Sequence, residues 1–282
     1  MTQLLKGKPV ADAISLSVQA EAESLKKRGV RPTLAIVRVG AREDDVAYEN
    51  AALRRCQSNG VDAVLRSLPA EASQEALLAV IEELNADPAV HGVLLFRPLP
   101  RHMDETLICN ALAPEKDIDG VTEASMAGVY AGTDTGHPPC TAMAAMALLE
   151  HYGFAPEGRR AVVVGRSTVI GRPAALMLLQ RNATVTICHT RTKDLPAVCR
   201  EAEILVVAAG KARMAGPEFT NPDQVVIDVG IHADPEGGLC GDVDFSRVEP
   251  VVKAISPVPA GVGSVTTAIL TLHVVQAAAR TL

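Results

Sequence analysis

The sequence has no tryptophan, and only three tyrosines and four phenylalanines among 282 residues. With so few rings, a core must be assembled from Ala, Val, Leu and Ile, which suits layered α/β packing better than an all-β sandwich. Its six cysteines (Cys56, Cys109, Cys140, Cys188, Cys199 and Cys240) include no C-x-x-C pair, and its seven histidines no H-x-x-x-H pair. Neither a disulfide framework nor a metal site is expected, and the cysteines read as reduced, buried, small apolar groups. No run approaches the ~20 apolar residues of a membrane span. The start, MTQLLKGKPVADAI, lacks an apolar core of signal-peptide length. A soluble, cytoplasmic chain is expected, with no membrane partner. A formal charge of −6 and the lack of any long basic run argue against nucleic acid as a partner. The length allows two domains of ordinary size.

What is there is a repeated alternation of strand and helix. Residues 9–28 read as an amphipathic helix ended by Gly29, and residues 32–39 as a strand closed by Gly40. A helix over 43–59 with Gly60 as its C-cap, a strand over 61–68, a Ser73-capped helix to Asn85 and a strand over 90–96 follow. This order predicts a parallel sheet with right-handed crossovers. The segment PEKDIDG (114–120) is a polar turn in which Lys116 and Asp117 read as turn and surface residues. Residues 124–136 are rich in small residues and weakly patterned, and Pro138-Pro139 lead into a helix ending at His151. A second alternation places strands at 161–164, 184–188, 203–208 and 224–229, a short extended segment at 254–258, and a last helix over 265–281. Strands that end in Gly, Ser or Thr describe a doubly wound domain with ligand at the strand carboxyl ends.

The organising stretch is AVVVGRSTVIGRP (161–173). Three consecutive valines suit a strand buried on both faces. Gly165 permits a tight turn, Ser167 and Thr168 offer N-cap oxygens, and Gly171 permits close helix–strand packing. Free N–H groups and a positive dipole end then converge on one spot, with Arg166 adding charge, which suits a pyrophosphate. The spacing is not G-x-G-x-x-G, and an ordinary strand–turn–helix connection is the alternative. The loop after 184–188 reads His189-Thr190-Arg191-Thr192-Lys193. It lacks the acidic residue that NAD-specific sites place there, which favours a 2′-phosphate and hence NADP, with NAD the alternative.

The residues resemble the bifunctional methylenetetrahydrofolate dehydrogenase/methenyltetrahydrofolate cyclohydrolases over essentially the whole chain. The markers are Tyr48, GVLLFRPLP (92–100), PEKDIDG, PPCT (138–141), VVVGRSTVIGRP (162–173), CHTRT (188–192), VVIDVGI (225–231), GDVDF (241–245) and SPVPAGVGSVT (256–266). The resemblance implies two α/β domains flanking a cleft, the second a doubly wound Rossmann-type dinucleotide-binding domain. It assigns residues 1–139 with 265–282 to a folate-like substrate domain and 140–264 to an NAD(P)-binding domain, and it implies a homodimer. Substrate contacts are expected from Tyr48, Phe96, Pro98, Asp119, Pro259 and Gly261, with Tyr48 stacking on the pterin and Asp119 bonding its amino and ring nitrogens. Cofactor contacts are expected from Thr141, Gly165, Arg166, Ser167, Ile170, Thr190, Arg191, Ala209, Gly210, Gly230, Ile231, Gly263 and Thr266, the last either a contact or a helix cap.

Five positions depart from the family pattern. Ser264 and Val265 stand for the Pro and Met of the run after Pro259. The lysine four residues after the tyrosine is Ala52, the glutamine of Q-L-P-L-P is Phe96, and the first glycine after Pro259 is Ala260. Tyr48 and Asp119 are thus the catalytic candidates that remain. Hydride transfer needs alignment, whereas adding water to the methenyl cation needs proton movement that Ala52 and Phe96 cannot supply. Arg55 and Arg97 lie nearby, but arginine, with a pKa above ~12, stays protonated and is a poor proton shuttle. The expected activity is NADP-dependent oxidation of methylenetetrahydrofolate with cyclohydrolase activity weak or absent. The alternatives are a different reduced pterin or cyclic amidine as substrate, and an NADP-binding regulatory protein.

Overall fold

Continuous apolar runs become strands buried on both faces in the computed structural model, which describes residues 1–234 and 237–282. In chain order the elements begin β1 (Gln3–Leu4), α1 (Gly7–Lys27), β2 (Thr33–Val39), α2 (Glu43–Asn59), β3 (Asp62–Leu68), α3 (Gln74–Ala86) and β4 (Gly92–Leu95). Next come α4 (Glu105–Asn110), α5 (Glu123–Ala131), α6 (Cys140–His151), β5 (Arg160–Val164), α7 (Gly171–Gln180), β6 (Thr184–Cys188) and α8 (Leu195–Arg200). The chain closes with β7 (Ile204–Val207), β8 (Val225–Asp228), β9 (His232–Ala233), β10 (Leu239–Cys240), α9 (Phe245–Val248), β11 (Ala254–Ile255) and α10 (Thr266–Ala279). All six cysteines are free and buried.

The residues sort into two units, Met1–Ala11 with Thr141–Thr266, and Asp12–Cys140 with Thr267–Leu282. The first holds a six-stranded sheet in the order β1-β11-β8-β7-β5-β6, every pair parallel. Residues 1–11 depart from the expected boundary because Gln3 and Leu4 pair with Ala254 and Ile255, and Leu5 N–H donates to the Ile255 carbonyl at 2.9 Å. A two-residue strand has no periodicity to read, so only pairing reveals it. The second unit holds a three-stranded parallel sheet, β3-β2-β4. One face of that sheet packs Ala35, Val37, Val93 and Leu95 against Leu77, Ile81 and Leu84 of α3, a dry aliphatic core that replaces the missing rings.

The weakly patterned segment is helix α5, capped by the Thr122 hydroxyl at Ser125 N–H and ended at Gly132 with φ +68°. It is fixed by Asp117, which is not a surface residue: its carboxylate is fully buried. That carboxylate accepts from Val121 N–H at 3.0 Å, Thr122 N–H at 2.8 Å and the Ser125 hydroxyl at 2.6 Å. Lys116 is half-buried, its ammonium donating to the Leu84 and Asp87 carbonyls at 2.7 and 2.6 Å. Both were legible only as turn residues because their partners lie on separate elements.

The loop before α10 carries Ala260 at φ +80°, the left-handed region that favours glycine, and Gly7 N–H donates to its carbonyl at 2.7 Å. An L residue there costs ~1–2 kcal/mol, partly offset by the lower backbone entropy of alanine in the unfolded chain. Ala260→Gly should therefore raise unfolding stability by roughly 0.5 kcal/mol, and a lower denaturation midpoint would contradict that reading.

In the second unit His137 and His273 stack with centroids 4.7 Å apart, both almost fully buried. Burial pushes His137 down to about 3, helped by the His273 ring and the Arg280 guanidinium. It pushes His273 down to about 4, against the hydrogen bond to the Ile118 carbonyl. Each ring stays neutral in the fold and gains a proton only on unfolding. Stability is thus intact above ~pH 6.5 and declines toward pH 4, by ~1.4 kcal/mol per pH unit per histidine. Urea midpoints between pH 7 and 5 should show this decline, and His137→Phe should lessen the slope by one proton; a slope the substitution leaves unchanged would contradict the assignment.

Candidate functional site

In the six-stranded sheet β5 is flanked by β6 on one side and β7 on the other. The chain leaves β5 in one direction and later returns in the other, so the carboxyl ends of β5 and β7 form a topological switch point. Gly165 follows β5 with φ +126°, and a Cβ on it would strike the Ala208 carbonyl at the end of β7. A Cβ on Gly171 would strike the Gly165 carbonyl. Strand, turn and helix therefore touch through glycine backbone, leaving a shelf of exposed residues from Arg166 to Val169. The Ser167 hydroxyl accepts from Ile170 N–H at 3.2 Å and Gly171 N–H at 3.3 Å, closing the first turn of α7. Among the described residues, the N–H groups of Arg166 to Val169 have no acceptor within the chain. A turn with outward amides, a helix dipole and the Arg166 guanidinium fits the pyrophosphate of a dinucleotide.

The loop after β6 is a compact turn in which His189 N–H donates to the Thr192 hydroxyl at 2.9 Å and Arg191 N–H to His189 Nδ1 at 3.2 Å. It leaves Thr190 and Arg191 exposed beside the end of β6. This chemistry fits an additional phosphate on the ribose. Thr141 is half-buried in the first turn of α6.

Gly230, Ile231, Pro259, Gly261 and Gly263 line one cavity of about 260 Å³, floored by Asp228. Ile231 is exposed there, and a Cβ on Gly263 would meet its Cδ1 at 3.2 Å. Pro259 and Gly261, expected at the substrate, thus sit with cofactor candidates in the first unit. The Thr266 hydroxyl donates to the Gly263 carbonyl at 3.1 Å, so it ties the loop to α10. Ala209 and Gly210 follow β7 as expected, but their N–H groups are turned inward onto the Asp242 carboxylate at 2.7 and 3.0 Å.

The substrate candidates of the second unit are carried by α2 and by the ends of β4 and the 114–120 turn. Tyr48 and Phe96 are in edge contact, ring centroids 5.8 Å apart at 63°. Phe96 is buried, Ala52 is fully buried one helical turn beyond Tyr48, and Pro98 is exposed. Both nearby arginines have partners within the unit. Arg55 is engaged by the Ser15 hydroxyl at 3.1 Å and the Thr267 hydroxyl at 3.4 Å, and Arg97 lies 3.9 Å from Glu105. Asp119 is half-buried in the 114–120 turn, beside Cys140 of α6. Burial pushes its carboxyl up, against the pull of the Cys140 thiol, the Arg97 guanidinium and the Cys140 N–H. A carboxyl so placed can accept two N–H donors from a planar heterocycle.

Sequence reasoning assigned no role to Asp228, Asp242, His232 or Cys140. The only available signal was an Asp at the end of an apolar strand, in VVIDVG, and a second Asp after Gly in GDVDF. Among the described residues there is no His/Cys/Asp/Glu cluster able to hold a metal ion, and no helix long and apolar enough to cross a membrane.

Comparison with known proteins adds identity to this geometry. Residues 5–119 match the family model for the tetrahydrofolate dehydrogenase/cyclohydrolase catalytic domain, and residues 139–282 that for the NAD(P)-binding domain of the same family. The bifunctional protein FolD of Carboxydothermus hydrogenoformans is 51% identical over 279 residues, 98% of this chain and 97% of that protein. The crystal structure of the bifunctional FolD methylenetetrahydrofolate dehydrogenase/cyclohydrolase from Campylobacter jejuni superposes with a TM-score of 0.97 at 35% identity, covering both chains completely. The Trypanosoma brucei enzyme, solved with NADP and an inhibitor, gives 0.92 at 33% identity over 99% of this chain and 98% of that one. The chain belongs to the tetrahydrofolate dehydrogenase/cyclohydrolase family and carries its NAD(P)-binding domain.

Proposed function

We propose that the protein oxidises 5,10-methylenetetrahydrofolate to the methenyl product with NADP, and that its hydrolysis of that product is slow. The carrying observation is the Tyr48–Phe96 contact with Ala52 buried on the same helical face. In this reading Ala52 and Phe96 put apolar, non-titrating groups where the resemblance places an amine and an amide. NADP supplies the hydride acceptor at C4 of its nicotinamide. The chain's own residues do the rest. Tyr48 stacks on the pterin, and Asp119 accepts hydrogen bonds from its amino and ring N–H groups. The 165–171 turn holds the pyrophosphate, and Arg191 the 2′-phosphate. Gly230, Ile231, Gly263 and the neighbouring loop exclude water from the nicotinamide end.

Hydride transfer asks the protein for alignment and tolerance of a developing cation, which π-faces and a nearby carboxylate supply. Hydrolysis asks for a group that takes a proton from water and returns one to the departing nitrogen, worth ~10²–10⁴-fold. Neither a phenyl ring nor a methyl group can do it. The relatives named bifunctional are the counter-weight, and they make restoration a direct test. Ala52→Lys combined with Phe96→Gln should raise methenyl hydrolysis at least tenfold while hydride transfer persists. No rise, with folding and NADP reduction retained, would remove the reading.

The cofactor assignment has its own test. Arg191→Glu should raise KM for NADP at least tenfold, a charge-assisted bond of ~1.5–3 kcal/mol, and leave KM for NAD nearly unchanged. Equal effects on both would contradict a 2′-phosphate contact.

A further inference from the structure

Two buried carboxylates link the ends of three parallel strands in the first unit. Asp228, at the end of β8, accepts from Gly230 N–H at 3.1 Å, Asp242 N–H at 2.9 Å and Val243 N–H at 3.0 Å. Its own N–H donates to the Ser256 hydroxyl beyond β11 at 2.8 Å. Asp242, fully buried, accepts at one oxygen from Ala209 and Gly210 N–H, at 2.7 and 3.0 Å. At its other oxygen it takes Lys211 N–H at 2.9 Å and lies 2.7 Å from His232 Nε2. His232 comes from β9, its side chain 24% accessible.

Three successive outward N–H groups after a strand would form an anion-binding nest. Here the nest is closed from inside by a protein carboxylate. Because the peptide N–H and C=O point in opposite directions, the carbonyls of residues 208–210 face away from Asp242, and the Ala208 carbonyl is the group that abuts Gly165 across the switch point. The two sides of the switch point are thus chemically opposite. The β5 turn offers donors and positive charge, while the β7 loop offers acceptors over a buried anion.

We propose that Asp242, clamped by His232, is a positioning residue that sets the register of the dinucleotide. It denies the β7 loop to phosphate and leaves that loop to the hydroxyl and carboxamide donors of the nicotinamide nucleoside, so the pyrophosphate settles on the β5 turn. The proposal rests on the cofactor reading above. Asp242→Asn keeps the shape but cannot accept all four bonds, since its NH₂ faces N–H donors in either orientation.

The test pairs NADPH binding, followed by fluorescence titration, with amide hydrogen exchange of the free protein. Asp242→Asn should weaken NADPH binding at least tenfold and speed exchange at Gly210 and Lys211, with KM for methylenetetrahydrofolate within twofold of wild type. A purely structural role would loosen the amides and leave NADPH affinity unchanged, which would overturn the proposal. If the wild type itself does not bind NADPH, the cofactor reading falls and this proposal with it; if only the variant comparison is flat, this proposal alone falls. Should Asp242→Asn not fold, His232→Ala should weaken NADPH binding several-fold and His232→Gln, which keeps an N–H donor, should restore it. Unchanged binding in His232→Ala would likewise overturn the proposal.

Discussion

The edge contact between Tyr48 and Phe96 is the constraint on which the chemistry turns. It fills the space between α2 and the end of β4 with carbon, beside a helix face that carries the buried methyl group of Ala52. A ring pair of this kind contributes ~0.5–1.5 kcal/mol beyond its buried area. The contact therefore stabilises α2 against the end of β4, and under the proposed function it also leaves that spot without a group to move a proton.

The first unit solves a different problem, that of presenting backbone at the ends of parallel strands without leaving it unsatisfied. Asp228 and Asp242 supply seven acceptor contacts to groups that would otherwise end blind. Burial pushes Asp228 up to about 7, against the pull of the N–H groups of Val243, Asp242 and Gly230. The 165–171 turn needs no such support, because glycine lets Gly165 and Gly171 approach neighbouring carbonyls directly. One sheet thus carries a donor-rich turn and an acceptor-rich loop side by side.

Much of this was legible beforehand. The valine and isoleucine runs of β2, β5, β7 and β8 have no polar alternation, and each became a strand buried along most of its length. Gly60 and Ser73 marked helix ends correctly because capping is a local interaction between residues close in sequence. The strain at Ala260 was readable as a question, and the positive φ answers it. What stayed hidden depends on partners far along the chain. Strand β1 exists through pairing with residues ~250 positions away, Lys116 donates to carbonyls some 30 residues earlier, and Asp242 acts through amides some 30 residues earlier. Helix α5 escaped notice because a run of Ala, Gly and Ser shows little amphipathic contrast.

The central claim is that this site moves a hydride and does not readily add water. It is tested most directly by a progress curve with the wild-type protein, methylenetetrahydrofolate and NADP, following NADPH and the methenyl chromophore together. Methenyl product accumulating in step with NADPH, and decaying afterwards only at the uncatalysed rate, is the expected result. NADPH formation with no methenyl build-up, the product passing at once to formyltetrahydrofolate, would contradict the account.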